Sequence, residues 1–184
     1  MKWLCERESR VFYEFKGMRP SLQEIDCAVP GEMALQHHIY PSTIPPAIYQ
    51  ALFPYGYSLL LHRMKHQMAE IVVLSAGEEL VAYGWLQKWA PFRRLYRSIS
   101  SSGVMVGPAW TSPRWRGRGI HVLMLKKRLN LAPLSQKVFS FVEERNHASR
   151  KGLIRSGFTE VASLDYVRVA GIVRYCRKVQ DYPE

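Results

Sequence analysis

From Thr111 to Leu129 the chain reads TSPRWRGRGIHVLMLKKRL, with arginines at 114, 116 and 118 alternating around Gly117 and Gly119. Glycine adopts positive φ without a steric penalty and lets a ligand come close to the backbone. Amides in such a turn point into one concavity, and a helix starting behind them adds the positive end of its dipole. Such a turn binds an anion of pyrophosphate size, and Arg114, Arg116 and Arg118 would surround it with charge. Strand–Gly–x–Gly–helix is shared by many phosphate binders. The dinucleotide fingerprint would need a third glycine where Val122 stands, and the P-loop would need a Gly-Lys-Ser/Thr that is absent.

The elements that must hold this turn are readable on both sides of it. GVMVGPAW, before it, reads as a strand. GIHVLMLKKRLN, after it, has Ile120, Leu123, Leu125 and Leu129 near helical spacing and basic residues at its end. Upstream, AEIVVLSAGEELVAYGWLQKW places two apolar runs around an Ala-Gly-Glu-Glu turn, which predicts a β-hairpin. RVFYEFKG near the start reads as a strand. Pro46 suits the first turn of a helix through AIYQALF, with Ser42 or Thr43 as cap, and YSLLLHRMKHQ fits helix or strand. Downstream, KVFSFVEE is a short strand, HASRKGLIRSGF a helix stopped by Gly157, and TEVASLDYVRVA and IVRYCRKV two further strands. The pattern predicts one mixed α/β (α+β) domain over residues 1–184, with a largely antiparallel sheet and at least one parallel crossover.

Composition narrows the class. An apolar share of 47% and a charged share of 22% are ordinary for a globular chain with a substantial core. No apolar run approaches the ~20 residues that span a bilayer, and the N-terminus shows no secretory apolar segment. Cys5, Cys27 and Cys176 are too scattered for a disulfide framework or a zinc site, which makes a reduced cytoplasmic setting the expectation. His37 and His38 read as a loop pair without further ligands, so no metal site is expected. The formal charge of +11 suits polyanionic partners, among them nucleic acid, lipid headgroups, acidic proteins and phosphorylated small molecules.

A second motif lies downstream in VEERNHASRKGLIRSGF: Val142, then Asn146, the small pair Ala148-Ser149, and Gly157-Phe158. This block resembles the second sequence block of the GNAT acetyltransferase superfamily. Arg114, Gly117 and Gly119 are similar to its first block, [Q/R]-x-x-G-x-[G/A], and a helix and a strand separate the two. The resemblance covers residues 101–158, the expected cofactor core. Residues 1–65 match nothing specific.

The resemblance implies a GNAT-like sheet with a splayed parallel pair of central strands, helices on both faces, and transfer of an acyl group from acetyl-CoA or another acyl-CoA. The cofactor arm would pair with the backbone of Ala109, Trp110 and Thr111, and the pyrophosphate would sit on the amides of Arg116, Gly117, Arg118, Gly119, Ile120 and His121. Asn146, with Ser149 in the small pair beside it, would approach the arm from the other side, and Arg150 is a candidate phosphate partner. Free amides at a splay also stabilise the oxyanion formed when an amine attacks a thioester. The family often has a tyrosine seven residues after the asparagine as acid, and this chain has Leu153 there. Tyr166 is the candidate acid in its place, with Tyr175 behind it, and Glu143, rather than Glu144, is the candidate base.

The expected partners are acyl-CoA and a primary amine, and a homodimer is an admitted state. Three other readings stay open: transfer from an acidic acyl carrier protein, a non-catalytic CoA-binding regulator, and a basic nucleic-acid module. The last is disfavoured because RWRGRG lacks interleaved aromatic platforms and matches no reader motif. Tyr40, Tyr49, Phe53, Tyr55, Tyr57, Trp85 and Trp89 are candidates to line the acceptor side, where an amino sugar or another small amine would enter.

Overall fold

The computed structural model describes residues 5–40, 42–44, 46, 69–94, 96–169 and 172–181. They form a mixed α/β fold and group into two compact units, each assembled from separated stretches of chain. The helix expected after Pro46 and the segment YSLLLHRMKHQ lie outside the described residues, as do Tyr49, Phe53, Tyr55 and Tyr57.

One unit carries the glycine turn. Its strands run in the order β2 (Met33–Ile39), β3 (Glu70–Ala76), β4 (Glu79–Lys88), β5 (Val104–Thr111). β3 and β4 form the expected antiparallel hairpin, with Val72 opposite Gly84 and Gly77 at positive φ in the turn. β2 corrects the loop expected for His37 and His38. Both sit on this strand, opposite Val72 and Ile71, and His37 Nε2 contacts a Glu70 carboxylate oxygen at 2.7 Å. Much of β2 is exposed on both faces, so it lacks the one-sided alternation that marks a strand in sequence. The short helix α1 (Leu22–Cys27) opens on a capping box between Ser21 and Glu24. Its buried Ile25 packs with Val72, Leu74, Val81 and Ala82 against Ile120, Leu123 and Met124 of α2 (Ile120–Leu131). A second apolar cluster holds Tyr40, Ile71, Val73, Tyr83 and Trp85. Tyr40 and Trp85 meet edge to face there, so these two are core residues.

The other unit has the strand order β6 (Val138–Glu143), β1 (Cys5–Phe15), β7 (Phe158–Val169), β8 (Ile172–Asp181), all antiparallel. The N-terminal strand is thus interior, pairing Val11 with Val142 on one side and with Ser163 on the other. The helix α3 (His147–Arg155) follows β6 and stops before Gly157, whose φ of +90° favours glycine. Trp89, Phe92, Tyr96, Phe12 and Phe139 form an aromatic core in this unit, and Trp89 belongs to it at 2% exposure.

Candidate functional site

β5 ends at Thr111 and the chain enters a single 3₁₀ turn, Pro113–Trp115. Three contacts fix that turn. Ser112 N donates to Val81 O at 2.8 Å, Trp115 N donates to Ser112 O at 2.9 Å, and Trp115 Nε1 donates to Glu79 Oε1 at 3.0 Å. Gly117 and Gly119 follow with φ of 78° and 77°, a conformation that costs an L side chain about 1–2 kcal/mol. A Cβ on either glycine would meet nothing within 4 Å, so the space above the turn is open. Gly119 then serves as the N-cap of α2.

The backbone amides explain what such a turn can do. Arg116 N donates to Pro113 O at 3.3 Å, and Val122 N and Leu123 N both reach Gly119 O. Between them, the amides of Gly117, Arg118, Gly119, Ile120 and His121 have no hydrogen-bond acceptor among the described residues. Five consecutive free N–H groups at the start of a three-turn helix are an anion cradle. It fits the pyrophosphate expected from sequence, except that the Arg116 amide is already engaged.

The arginines divide by their contacts. Arg116 Nε donates to Thr111 O at 3.1 Å, and the Arg118 guanidinium lies 4.8 Å from the centre of the Trp115 ring. Arg114 Nη1 approaches Glu79 Oε2 at 3.5 Å and is largely exposed. The role of Glu79 was not visible in sequence, because it opens β4, more than thirty positions from the loop it holds. Upstream on β5, Ala109 is exposed, and half-buried Trp110 stacks on Tyr83 at 5.8 Å. The Gln87 side chain, buried on β4, donates to Gly107 O.

In α2, two polar side chains carry buried nitrogens, that of fully buried Arg128 and that of half-buried His121. Arg128 is 1% exposed, donates from Nε to Met124 O and from Nη1 to Trp85 O, and leaves Nη2 without a partner. Burial lowers its pKa to about 9. Its guanidinium occupies the place of a side chain at Gly84, where a Cβ would lie 2.7 Å from Arg128 Cζ. His121 Nε2 is likewise buried without a partner, and burial, then the charge of Arg128, lowers that imidazole to about 4.

The remaining sequence candidates lie in the other unit. Asn146 is the N-cap of α3, its side-chain oxygen accepting from Ser149 N at 3.1 Å. Arg150 donates to Glu160 Oε1 at 2.8 Å and to the Tyr13 hydroxyl at 3.0 Å, and Tyr13 donates to the same carboxylate at 2.7 Å. Burial and the Glu160 carboxylate push the Tyr13 hydroxyl well above its usual value. Burial alone would raise Glu160, but the hydrogen bonds from Arg150 and Tyr13 together hold it below the ordinary carboxylate value. This cluster ties α3 to β1 and β7, so the Arg150 fork is engaged inside the protein. Glu143 is exposed at the end of β6, and Leu153 is buried at 1%. Tyr166 takes its place on β7 opposite Glu8, while its side chain and that of Tyr175 lie outside the described part of the structure. Among the described residues, no group of three His, Cys, Asp or Glu is placed to hold a metal, and no helix is long and apolar enough to cross a membrane.

No sequence-family model matches the chain, and no curated protein matches it in sequence. Solved structures do match. A GCN5-related N-acetyltransferase from Sphaerobacter thermophilus aligns with 91% of the chain at a TM-score of 0.59 and 17% identity. A Novosphingobium aromaticivorans protein assigned to the GNAT acetyltransferases aligns with 89% at 0.59 and 12% identity. A GNAT-family acetyltransferase from Colwellia psychrerythraea aligns with 89% at 0.55 and 13% identity. The alignments span 53%, 64% and 55% of those three chains, so this chain corresponds to part of each. A cradle at the start of α2, carried on a mostly antiparallel sheet that superposes on these structures, gives the chain the fold of the GNAT acetyltransferases.

Proposed function

We propose that the protein is an N-acyltransferase that moves an acetyl or other acyl group from acyl-CoA to a primary amine. The observation that carries this reading is the run of five free amides from Gly117 to His121 at the N-terminus of α2. Such a cradle holds a diphosphate by backbone donors, and Arg116 and Arg118 add charge at its rim. The backbone of Ala109, Trp110 and Thr111, together with the side chain of Asn146, would hold the rest of the acyl-CoA.

In this reading the amine nitrogen attacks the thioester carbonyl carbon, the C–S bond breaks, and the proton lost by the amine balances the one gained by the thiolate. Holding both reactants removes much of the entropic barrier of a bimolecular step. Glu143 is the base we assign and Tyr166 the acid.

The test is calorimetric binding of acetyl-CoA, followed by CoA release across a panel of amines that includes amino sugars. Gly119→Val puts a β-branched side chain at positive φ and is expected to abolish acetyl-CoA binding while the far-UV spectrum is kept. Arg116→Ala is expected to weaken it by about tenfold, the scale of one charge-assisted contact. Absence of acetyl-CoA binding in the unaltered chain, with tight binding to DNA, would overturn the reading.

A further inference from the structure

The charge of this chain is distributed unevenly. Between Leu80 and Val142 there are eleven Lys and Arg and no Asp or Glu, while the rest holds fifteen of each sign. The whole formal excess of +11 therefore lies in one stretch. Arg114 approaches Glu79 at 3.5 Å, and Arg116 and Arg118 lie at the glycine turn, on Thr111 O and the Trp115 ring. Arg128 is interior and bound to backbone carbonyls, and Lys137 pairs with Glu14 at 3.0 Å. Six others remain: Lys88 on β4 and Lys126 and Lys127 on α2 are dispersed over separate elements, whereas Arg93, Arg94 and Arg97 lie together in one short stretch. All three are exposed, and none has an acidic partner among the described residues.

These three arginines are displayed by a built segment. Residues 89–94 and 96–100 are folded in hydrogen-bonded turns, with Arg93 N bonded to Trp89 O, Tyr96 N to Phe92 O, and Ser100 N to Tyr96 O. Trp89 N on Gly103 O and Trp89 Nε1 on Ser100 O close the segment at its base. Trp89, Phe92 and Tyr96 face the core, where Tyr96 meets Phe12 at 4.7 Å and Trp89 meets Phe139 at 4.8 Å. Arg93, Arg94 and Arg97 occupy the outward side of the same turns. Arg10, nearby, is engaged with the Tyr96 hydroxyl and the Phe141 ring.

We infer that the outward face of residues 89–102 is a docking surface for an acidic protein segment, one that presents two or three carboxylates within about a helical turn. The arginine fork donates two parallel hydrogen bonds to a carboxylate, and Arg93, Arg94 and Arg97 lie within one short run of sequence. That compact set matches a short row of carboxylates. A duplex carries a longer track of phosphates, and the aromatic rings that would stack on unpaired bases are turned inward here. The same inward turn leaves no large aromatic tip among the described residues to enter a bilayer. This inference does not rest on the acyl-transfer reading.

The experiment measures binding of a fluorescein-labelled decaglutamate peptide to the full chain by anisotropy at about 0.15 M salt, where the Debye length is about 8 Å. A twelve-base-pair duplex and phosphatidylserine vesicles serve as competitors. Replacing Arg93, Arg94 and Arg97 together by Gln is expected to raise the peptide Kd about tenfold or more, because close charge pairs carry such an interface. The same replacement at Arg114, Arg116 and Arg118 should leave the Kd within about twofold, since the effect is local to one patch. Thermal melts and single Arg→Gln variants confirm that folding is kept. Equal loss in both triple variants would overturn the inference, and so would displacement of the peptide by duplex or vesicles at matched charge. Acetyl-CoA binding is expected to survive in the first triple variant. A chain that binds the peptide through these arginines but never binds acetyl-CoA would sink the proposed function and leave this inference standing.

Discussion

Asn146 combines two properties that a single alanine substitution would confuse. Its side-chain oxygen caps α3 by accepting from Ser149 N, while its Nδ2 donor has no partner among the described residues. Aspartate caps a helix as well as asparagine does and suits the positive end of the dipole, but it supplies no such donor. Asn146→Asp is therefore expected to melt close to the unaltered chain and yet bind acetyl-CoA about tenfold more weakly. Asn146→Ala should lose about 1 kcal/mol of stability in addition. Denaturant titration and calorimetry separate the two outcomes, and an Asn146→Asp chain that binds normally would reduce Asn146 to a cap. Arg150, one turn further along, illustrates the limit of reading residues singly. In sequence it is a cation near a phosphate site, and only the pairing of β1 with β7 brings Tyr13 and Glu160 to its guanidinium.

At the scale of elements, α2 contains both what the sequence disclosed and what it concealed. The glycines at 117 and 119 and the apolar spacing from Ile120 to Leu129 are local signals, and the turn and helix formed where those signals lie. The basic residues at the helix end read as complements to the dipole, yet Arg128 is interior. Gly84, on another strand, leaves the space that its guanidinium fills, and no local pattern announces such a partner. The helix α1 was not among the expected elements, although its Ser21–Glu24 capping box is a local signal, and edge strand β2 gave no clear periodicity. Burying His121 beside Arg128 has a consequence for pH. The folded imidazole is lowered from 6.5 to about 4, so the unfolded chain binds more protons between those values. The stability this contributes is complete above pH 6.5 and is lost as pH falls towards about 4. Each tenfold difference in proton affinity is worth about 1.4 kcal/mol, so roughly 2 kcal/mol should disappear between about pH 7 and about pH 4.5. Urea midpoints at both pH values should fall less in His121→Phe than in the unaltered chain, by about that amount. Parallel pH profiles in the two chains would show that the imidazole is not held neutral.

Across the whole molecule, the unit containing β1 is built from pieces far apart in sequence, with the N-terminal strand at its interior. RVFYEFKG was legible as a strand, but pairing across about 150 positions cannot be read from a local pattern, because register follows from which apolar faces meet. The structure pairs β1 along both edges, with β6 through Arg10–Glu14 and with β7 through Cys5–Phe15. Removing β1 would leave two strand edges unpaired, and exposed edges template aggregation. β8 pairs with β7 alone, so its removal opens a single edge. A chain starting at Met18 is therefore expected to aggregate or lose its cooperative transition, whereas one ending before Ile172 should keep a weaker cooperative transition. Adding a synthetic peptide of residues 5–15 should restore the transition in the first case, because it supplies both ladders at once. The experiment is a thermal melt followed by light scattering, with a scrambled peptide as control. If the chain starting at Met18 melts like the full one, the interior position of β1 is wrong, and the Tyr13 clasp that holds α3 through Arg150 is wrong with it.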